Sequence, residues 1–184
     1  MDAGYDQIIS FLKELDHKIK EKRDLYLFGG GAMTLAYDRK NRTADLDFVE
    51  APSDIVSKAN QHSPLALKYH VYISFLAEIN LSVPRGWRSR CKKLPLGLSH
   101  LNIWVADVYD IALSKLPRFE PKDIEDLVSL VDKGLINSEG FLNFLNQNLK
   151  EFQINLSFLN NVKLAFHILF NQSVKIKKGR LHVT

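Results

Sequence analysis

Residues 25–38, LYLFGGGAMTLAYD, and residues 42–49, RTADLDFV, decide the fold predicted for this chain of 184 residues. The continuous apolar run at 25–28 predicts a buried strand, which the three glycines at 29–31 end. Residues 45–49 alternate acidic and apolar side chains, as a strand with one polar face does. A short helix and a polar loop join the two strands, so this region predicts a mixed α/β core.

Asp45 and Asp47 form a pair of carboxylates on the second strand. Because side chains alternate along a strand, residues two apart project from the same face, and Leu46 and Phe48 point the opposite way into the core. Two carboxylates on one face suit Mg²⁺ or Mn²⁺, which prefer oxygen ligands. A metal held there can bridge the oxygens of a nucleoside triphosphate and activate an attacking hydroxyl. We therefore predict a metal site at Asp45 and Asp47.

The glycine turn supplies the second half of the predicted site. Gly29 and Gly30 carry no Cβ, so their backbone N–H groups can approach a phosphate closely, and the start of the following helix adds partial positive charge. Arg42 and Thr43 lie directly before the acidic strand, and we assign them to nucleotide binding as well. The alternatives are a plain turn and a dinucleotide-binding loop. The second fits poorly, because Thr34 stands where the third glycine is required.

These motifs resemble the nucleotidyltransferase superfamily, which carries a Gly-Gly or Gly-Ser pair after one strand and Asp-x-Asp on the next. Residues 28–35 and 42–48 match that pattern. Two later motifs, at 110–116 (DIALSKL) and 122–126 (KDIED), are similar to minimal bacterial nucleotidyltransferase-like proteins related to AbiEii-type toxins. The resemblance covers residues 25–131. It implies an α+β fold, with a nucleotidyltransferase-like mixed sheet, flanking helices and a helical C-terminal third.

The resemblance also implies roles for individual residues. The Gly29–Gly30 turn would hold the triphosphate, and Asp45 and Asp47 would hold the metal. Lys115 would bind a nucleotide phosphate, and Asp123 would complete the site or brace Lys115. The alternative for Lys115 is a side chain that reaches out of a packed helix face into solvent.

Many members of the superfamily use a third carboxylate on a later strand. Glu78 is the best candidate for this third metal ligand, although a glutamate is more often an exposed surface residue. Without a third carboxylate, the general base is Asp123, or the site binds a nucleotide without catalysis. Two functions therefore stay open: a metal-dependent nucleotidyltransferase, and a catalytically inactive module that binds a nucleotide or a partner.

For the enzyme, the predicted reaction transfers a nucleotidyl group from an NTP to an acceptor hydroxyl and releases pyrophosphate. The acceptor is an RNA such as tRNA, a protein side chain or a small molecule. The resemblance further implies a toxin–antitoxin component with a cognate antitoxin or toxin as partner. Two basic clusters favour an acceptor that carries phosphate, unless they are only a solvated loop and a frayed tail. These clusters are Arg85, Arg88, Arg90, Lys92 and Lys93, and Lys175, Lys177, Lys178 and Arg180.

The composition is that of an ordinary globular protein. Hydrophobic residues make up 46% and charged residues 25%, and the formal net charge is +4. The single cysteine, Cys91, excludes an intrachain disulfide. No apolar run approaches the roughly 20 residues that cross a bilayer, and the first residues lack the pattern of a signal peptide. We therefore expect a cytoplasmic protein with no membrane partner.

The remaining pattern predicts one compact domain, with an α/β core over residues 1–106 and a helical part over 107–184. Aromatic side chains expected in the core lie at positions 87, 104, 141, 144, 152 and 158. Strands are predicted within 69–83 and as a pair at 87–94 and 99–105. Helices are predicted at 5–21, 52–60, 107–116, 122–133, 138–149 and 158–171.

Overall fold

The structure is a computed structural model, and residues 2–151 and 155–184 are described. Contacts between residues group the chain into two units. The sheet unit consists of the residues up to Leu81 together with Arg88–Asp107, and the helical unit consists of Ser82–Trp87 and the residues from Val108 onward. The predicted glycine turn and acidic strand belong to the sheet unit, whereas the later Lys and Asp motifs belong to the helical unit.

A five-stranded mixed sheet forms the centre of the sheet unit, in the order β3-β2-β1-β5-β4. Its strands are β1 (Arg23–Phe28), β2 (Asp45–Val49), β3 (Tyr72–Leu76), β4 (Lys92–Lys93) and β5 (Leu101–Val105). Strand β1 runs antiparallel to β2 and parallel to β5, β2 runs parallel to β3, and β4 is antiparallel to β5. The predicted α+β fold with a mixed sheet and flanking helices is confirmed.

The two faces of β2 follow the alternation seen in the sequence. Leu46 and Phe48 are fully buried, whereas Asp45 and Asp47 are half-buried on the opposite face. Leu27 of β1 pairs with Phe48, which joins the apolar faces of the two central strands. The prediction that the two aspartates share a face is therefore confirmed, and their strand lies next to β1 in the sheet.

The helices of the sheet unit include one that the sequence did not predict. They are α1 (Tyr5–His17), α2 (Gly29–Ala32), which continues as a π-helix (Met33–Tyr37), α3 (Ser53–Ala59) and α4 (Pro64–Tyr69). Helix α4 lies in a segment for which the sequence predicted no element. Ser63 caps its start by accepting a hydrogen bond from the Ala66 N–H, and Pro64 occupies its first turn. His70 ends it in the left-handed conformation, with φ 55°.

Three predicted elements have different bounds in the structure. Helix α1 ends at His17 rather than at residue 21, and strand structure within 69–83 is limited to β3. The strand predicted at 87–94 is instead helix α5 (Trp87–Arg90), followed by the two residues of β4. That prediction was wrong because so short a segment does not distinguish a strand from a single turn of helix.

Buried Asp16 ties the end of α1 to the segment that leads into β5. Its carboxylate accepts hydrogen bonds from the backbone N–H groups of Ser99, His100 and Leu101 at 2.7–2.8 Å. Burial opposes ionisation, but the three donors outweigh it and hold the pKa of Asp16 below its usual range. The charge of Asp16 therefore contributes to the stability of the sheet unit.

Asp16→Asn is expected to lower the free energy of unfolding at pH 7 by about 2–3 kcal/mol, because the new amide places a donor against buried N–H groups. Folding lowers the pKa of Asp16, so the stabilisation that its carboxylate provides is complete above the unfolded-state pKa of 3.8. This stabilisation is lost as the pH falls through the pKa of Asp16 in the folded state. Urea unfolding of both proteins across the acidic range measures this. The two stability curves should converge at low pH, and a difference independent of pH would contradict the role of the charge.

The helical unit contains α6 (Val108–Lys115), α7 (Pro121–Asp132), α8 (Ser138–Asn148) and α9 (Leu156–Phe170). All four were predicted, with small differences at their ends. Phe141 of α8 and Phe166 of α9 stack in the core of this unit with ring centroids 5.8 Å apart, and Leu127 and Leu130 of α7 are fully buried. The predicted helical C-terminal part is confirmed.

The C-terminal basic segment is a β-hairpin, which excludes the frayed tail that the sequence left open as an alternative. Its strands are β6 (Val174–Lys177) and β7 (Arg180–Val183), which pair antiparallel. Val174 and Leu181 are buried, and the Asn146 side chain of α8 exchanges hydrogen bonds of 2.8 and 2.9 Å with the backbone of Leu181. Two apolar anchors among the lysines therefore fix the segment to the helical unit.

The aromatic side chains that the sequence placed in the core differ in their burial. Trp87, Phe141 and Phe158 are buried as expected, whereas Trp104 and Phe144 are only half-buried. Phe152 lies outside the described residues. Within the described ranges, no helix combines the length and the hydropathy that a membrane span requires.

Candidate functional site

The glycine turn after β1 lies directly against the carboxylate of Asp47. Gly29 adopts the left-handed conformation with φ +62°, and a Cβ at this position would overlap Asp47 Oδ2. The ladder explains the proximity, because Phe28, at the end of β1, pairs with Asp47 on β2. Only glycine combines this backbone conformation with so close an approach of the carboxylate.

Thr43 joins the turn to the other aspartate. Its hydroxyl donates a hydrogen bond to Oδ1 of Asp45 at 2.9 Å, and a Cβ on Gly30 would lie 2.7 Å from Thr43 Oγ1. Thr43 is buried, and its backbone forms a bridge to Ala3 with hydrogen bonds of 2.8 and 3.1 Å. The structure therefore brings together five residues that the sequence assigned to the site. They are Gly29, Gly30, Thr43, Asp45 and Asp47.

The carbonyl group of Gly30 is held by two side chains that the sequence did not single out. Thr34 Oγ1 donates to this oxygen at 3.0 Å, and Asn41 Nδ2 lies 3.5 Å from it. Both residues are buried. These contacts hold the backbone of the turn from the following helix and from the loop before β2.

Tyr72 on β3 is a neighbour of the acidic pair that the sequence did not reveal. It pairs with Asp45 in the parallel β2–β3 ladder. Burial, followed by the negative charges of Asp45 and Asp47, raises the pKa of Tyr72 above its usual range. The pKa of the Tyr72 phenol is therefore influenced by both carboxylates. Tyr72 lies near them only because β2 and β3 pair, and no local sequence pattern indicates that pairing.

The position on β3 opposite Asp47 is occupied by Ser74, not by an acid. Glu78, the sequence candidate for a third metal ligand, lies beyond β3 in a 3₁₀ helix (Glu78–Asn80), and Arg88 Nη1 donates to its Oε1 at 2.6 Å. Among the described residues, no three His, Cys, Asp or Glu side chains form a cluster that could hold a metal ion. Asp45 and Asp47 on β2 therefore offer two carboxylates without a third acidic ligand among the described residues.

A two-carboxylate site fits Mg²⁺ or Mn²⁺ bound together with a triphosphate. Mg²⁺ usually keeps several waters and binds through one or two carboxylates plus substrate phosphates. Asp45 and Asp47 share one face, and the Gly29–Gly30 turn packs directly against Asp47 and Thr43 beside it. The donor set thus suits a metal that arrives with its nucleotide.

Arg42 contacts its own loop. Its Nη1 donates to the carbonyl groups of Arg39, Lys40 and Asn41 at 2.9–3.3 Å. The guanidinium also lies against Gly4, where a Cβ would be 2.9 Å from Arg42 Cζ. These contacts close the loop that carries Thr43. A contact between Arg42 and a nucleotide stays a prediction.

A buried charge cluster in the helical unit surrounds Lys115. Its Nζ lies 2.6 Å from Oδ2 of Asp126 and 3.2 Å from Oδ1 of Asp123, and its side chain is only 7% exposed. Arg118 donates to both carboxylate oxygens of Asp123 at 2.8 and 2.9 Å. The expected bracing of Lys115 by Asp123 is therefore present. A contact between Lys115 and a nucleotide phosphate stays a prediction.

The Asp123 carboxylate is strongly held in its ionised form. Burial opposes ionisation, but the hydrogen bonds from Arg118, the charge of Lys115 and the Glu120 N–H together lower the pKa of Asp123. Asp126, the second partner of Lys115, ends the motif at 122–126 but was given no role from the sequence. Its signal is its position three residues after Asp123, which places both on one face of α7.

A comparison with known protein families agrees with this geometry. The sequence profile of a family described as "Nucleotidyltransferase of unknown function (DUF6036)" matches residues 5–169. The chain belongs to the DUF6036 nucleotidyltransferase family. No curated protein and no solved structure matches it. The family match includes residues of both units and extends through the helical unit as far as residue 169.

In this DUF6036 protein, Gly29→Ala is expected to weaken NTP binding at least about ten-fold, because a Cβ displaces the Asp47 carboxylate. The positive φ adds a loss of about 1–2 kcal/mol in the free energy of unfolding. Gly97→Ala is the matched control, since Gly97 has φ +67° with nothing within 4 Å of its Cβ position. Calorimetry and urea unfolding should show a similar stability loss in both variants, with NTP binding lost only in Gly29→Ala. Equal NTP affinity in the two variants would contradict the role of the turn.

Proposed function

We propose that this chain is a metal-dependent nucleotidyltransferase. It transfers a nucleotidyl group from an NTP to an acceptor hydroxyl with the help of Mg²⁺ or Mn²⁺. The observation that carries the proposal is the convergence of the Asp45–Asp47 face with the Gly29–Gly30 turn, where a Cβ would overlap the Asp47 carboxylate. Membership in a nucleotidyltransferase family supports the same reaction class.

In this proposal each residue of the site has a distinct task. Asp45 and Asp47 hold the metal, which neutralises charge on the triphosphate and favours ionisation of the acceptor hydroxyl. The backbone of the Gly29–Gly30 turn binds phosphate oxygens. Thr43 orients Asp45 through the hydrogen bond of 2.9 Å between Thr43 Oγ1 and Asp45 Oδ1. The residues thus position the reactants and stabilise the charge that develops between them.

The reaction is an in-line displacement at the α-phosphorus of the NTP. The acceptor oxygen bonds to this phosphorus, the bond to the bridging oxygen breaks, and pyrophosphate leaves. The proton of the acceptor hydroxyl passes to a carboxylate oxygen of β2 or to water. Asp123 is a poor base for this step, because both of its oxygens accept hydrogen bonds and its pKa is lowered. We therefore assign Asp123 to bracing Lys115.

One observation favours the second candidate function, a nucleotide-binding module without catalysis. Ser74 occupies the place opposite Asp47 where a third carboxylate would complete the metal site. The two acids on β2 argue only against a module that has lost metal binding, because adjacent like charges repel each other unless a cation lies between them. The two functions differ in turnover but share metal-dependent nucleotide binding.

The biological setting is a further part of the proposal. The resemblance to AbiEii-type toxins favours a toxin–antitoxin component with a cognate partner, and an RNA such as tRNA or a protein as acceptor. A transferase with such a target needs both an NTP and a macromolecular acceptor, so labelled NTP identifies the acceptor directly. The label should appear in the RNA or protein fraction of a cell extract.

Calorimetry with each NTP, in the presence of Mg²⁺ or of a chelator, tests the proposal together with release of pyrophosphate from α-labelled NTP. Metal-dependent binding with pyrophosphate release and labelled acceptor supports the enzyme. Metal-dependent binding without any transfer to RNA, protein or small molecules supports the binding module instead. Affinity for NTP that does not change when the metal is removed would overturn both.

A further inference from the structure

The charged side chains of the C-terminal segment are all basic, and the proposed reaction does not use them. Residues 152–184 contain no Asp or Glu. Their basic residues are Lys163, Lys175, Lys177, Lys178 and Arg180. Four of these five lie within the hairpin β6–β7, so the positive charge is concentrated in one small element.

The register of the hairpin sorts its side chains onto two different faces. Val174 pairs with Val183 and Ile176 with Leu181, and because side chains alternate along a strand these pairs share one face. Lys175 pairs with His182 and Lys177 with Arg180 on the opposite face. We call this second face, together with Lys178 in the turn, the cationic ribbon.

The apolar face anchors the hairpin, and the turn makes it rigid. Val174 is 4% and Leu181 is 2% exposed, and Leu181 is bound to α8 through Asn146. Lys178 and Gly179 connect the strands with φ of 50° and 73°. Positive φ at both central residues is typical of the type I′ turn, which matches the twist of a hairpin. The cationic ribbon is therefore displayed on a fixed scaffold.

The charges of the cationic ribbon are not balanced within the described chain. Its side chains are exposed, and within residues 2–151 and 155–184 none of its four Lys and Arg residues forms an ion pair. Lys177 and Arg180 stand directly opposite each other, an arrangement of like charges that destabilises a strand pair. An external anion would remove this repulsion.

We propose that the cationic ribbon is a docking surface for the sugar–phosphate backbone of a nucleic acid. Alternate residues along its strands lie about 6.8 Å apart and the strands about 4.8 Å apart, which gives a compact grid of cations facing one way. A two-stranded ribbon of this kind enters a nucleic-acid groove or follows a backbone. The contacts go to phosphates, so binding is independent of base sequence and falls steeply with salt.

A nucleic acid fits this surface better than a membrane does. Surface helices and hairpins that insert into a bilayer place apolar side chains beside the basic ones at the lipid boundary. Here Val174 and Leu181 are buried, and Ile176 and Val183, which are 42% and 38% exposed, lie on the face opposite the cationic ribbon. The cationic ribbon itself carries only Lys, Arg and His side chains. The inference stands independently of the transfer reaction, because it rests on different residues.

The test is fluorescence anisotropy of the full chain with a labelled RNA of mixed sequence, over a series of salt concentrations. Four contacts to a single strand predict a slope of log affinity against log salt of about −3. The variant with Lys175→Gln, Lys177→Gln, Lys178→Gln and Arg180→Gln should bind at least about ten-fold more weakly and lose most of this slope. Lys177→Gln alone should reduce the slope by about 0.7.

A matched control distinguishes the effect of the cationic ribbon on RNA binding from the effect of net charge. Lys13→Gln, Lys20→Gln, Lys22→Gln and Lys58→Gln together remove the same charge from exposed positions in the sheet unit and should leave RNA affinity within about two-fold of wild type. Changing the three hairpin lysines to Arg retains the charge and should retain the binding. Circular dichroism and thermal unfolding of each variant confirm that it is folded.

Three results would overturn the proposal. The first is an equal loss of RNA affinity in the control and in the four-residue hairpin variant. The second is binding to polyglutamate or to anionic vesicles that matches RNA binding and depends on the same four residues, since this would assign the surface to another kind of partner. The third is the absence of salt-dependent RNA binding in the wild-type protein.

Discussion

Replacing both Asp45 and Asp47 with Asn is expected to abolish Mg²⁺-dependent NTP binding and to lower turnover at least about 1,000-fold. The two carboxylates are the proposed metal ligands, and a bound metal contributes several kcal/mol of charge stabilisation in the transition state. Both side chains are only half-buried, so the fold should persist. Stability should even rise slightly, since two like charges leave one face. Calorimetry, initial rates and thermal unfolding measure these three effects.

The matched control for this variant is Asp132→Asn with Glu139→Gln. Both residues are exposed acids of the helical unit, and their replacement changes the net charge by the same amount. NTP binding and turnover should equal those of the wild type. If the Asp45/Asp47 variant bound Mg²⁺–NTP as tightly as this control, the metal assignment would be wrong.

Lys115→Met is expected to lower the free energy of unfolding by about 3–5 kcal/mol, because it leaves the carboxylates of Asp123 and Asp126 buried without their ammonium partner. For a chain of this length the melting temperature should fall by roughly 6–20 °C. The burial of Lys115 and its two ion pairs make this loss larger than for a lysine that reaches into solvent, which is the alternative that the sequence left open.

Two further variants test the charge cluster. Lys163→Met, at an exposed position of α9, should change stability by less than about 0.5 kcal/mol. Combining Lys115→Met with Asp126→Asn removes the carboxylate that lies closest to the Lys115 ammonium and should recover part of the loss. A stability of Lys115→Met equal to that of wild type would show that the cluster contributes nothing to folding.

Much of the sheet unit could be predicted because its pattern is local. The apolar run at 25–28 and the alternation at 45–49 each fix a strand and its faces within a few residues. A period of two is enough to place Asp45 and Asp47 together. The glycine turn was also evident, because three consecutive glycines rarely serve any purpose but a close approach or an unusual backbone conformation. Gly29 shows both.

The features that were missed depend on contacts between distant parts of the chain. Tyr72 joins the acidic pair only through the β2–β3 ladder, and Asp16 finds its three donors more than 80 positions away. Helix α4 was missed because its start signal, Ser63 and Pro64, precedes only a single turn and a half of apolar residues. The hairpin was missed because Lys178-Gly179 is a weaker turn signal than Asn-Gly or Asp-Gly.

In the helical unit too, local patterns predicted the elements but not the contacts between them. Its four helices follow from apolar periodicity, and their predicted bounds differ little from the observed ones. The pairing of Lys115 with Asp126 does not follow from periodicity, since it depends on how α6 and α7 pack. Only the three-residue spacing of Asp123 and Asp126 hinted that both acids share a face.

A crystal structure with Mg²⁺ and a non-hydrolysable NTP analogue is the most direct test of the proposed site. We predict one metal about 2.0–2.1 Å from carboxylate oxygens of both Asp45 and Asp47, with phosphate oxygens against the backbone of the Gly29–Gly30 turn. A metal and a triphosphate bound away from β2, or phosphates at the turn with no metal on either aspartate, would contradict the account.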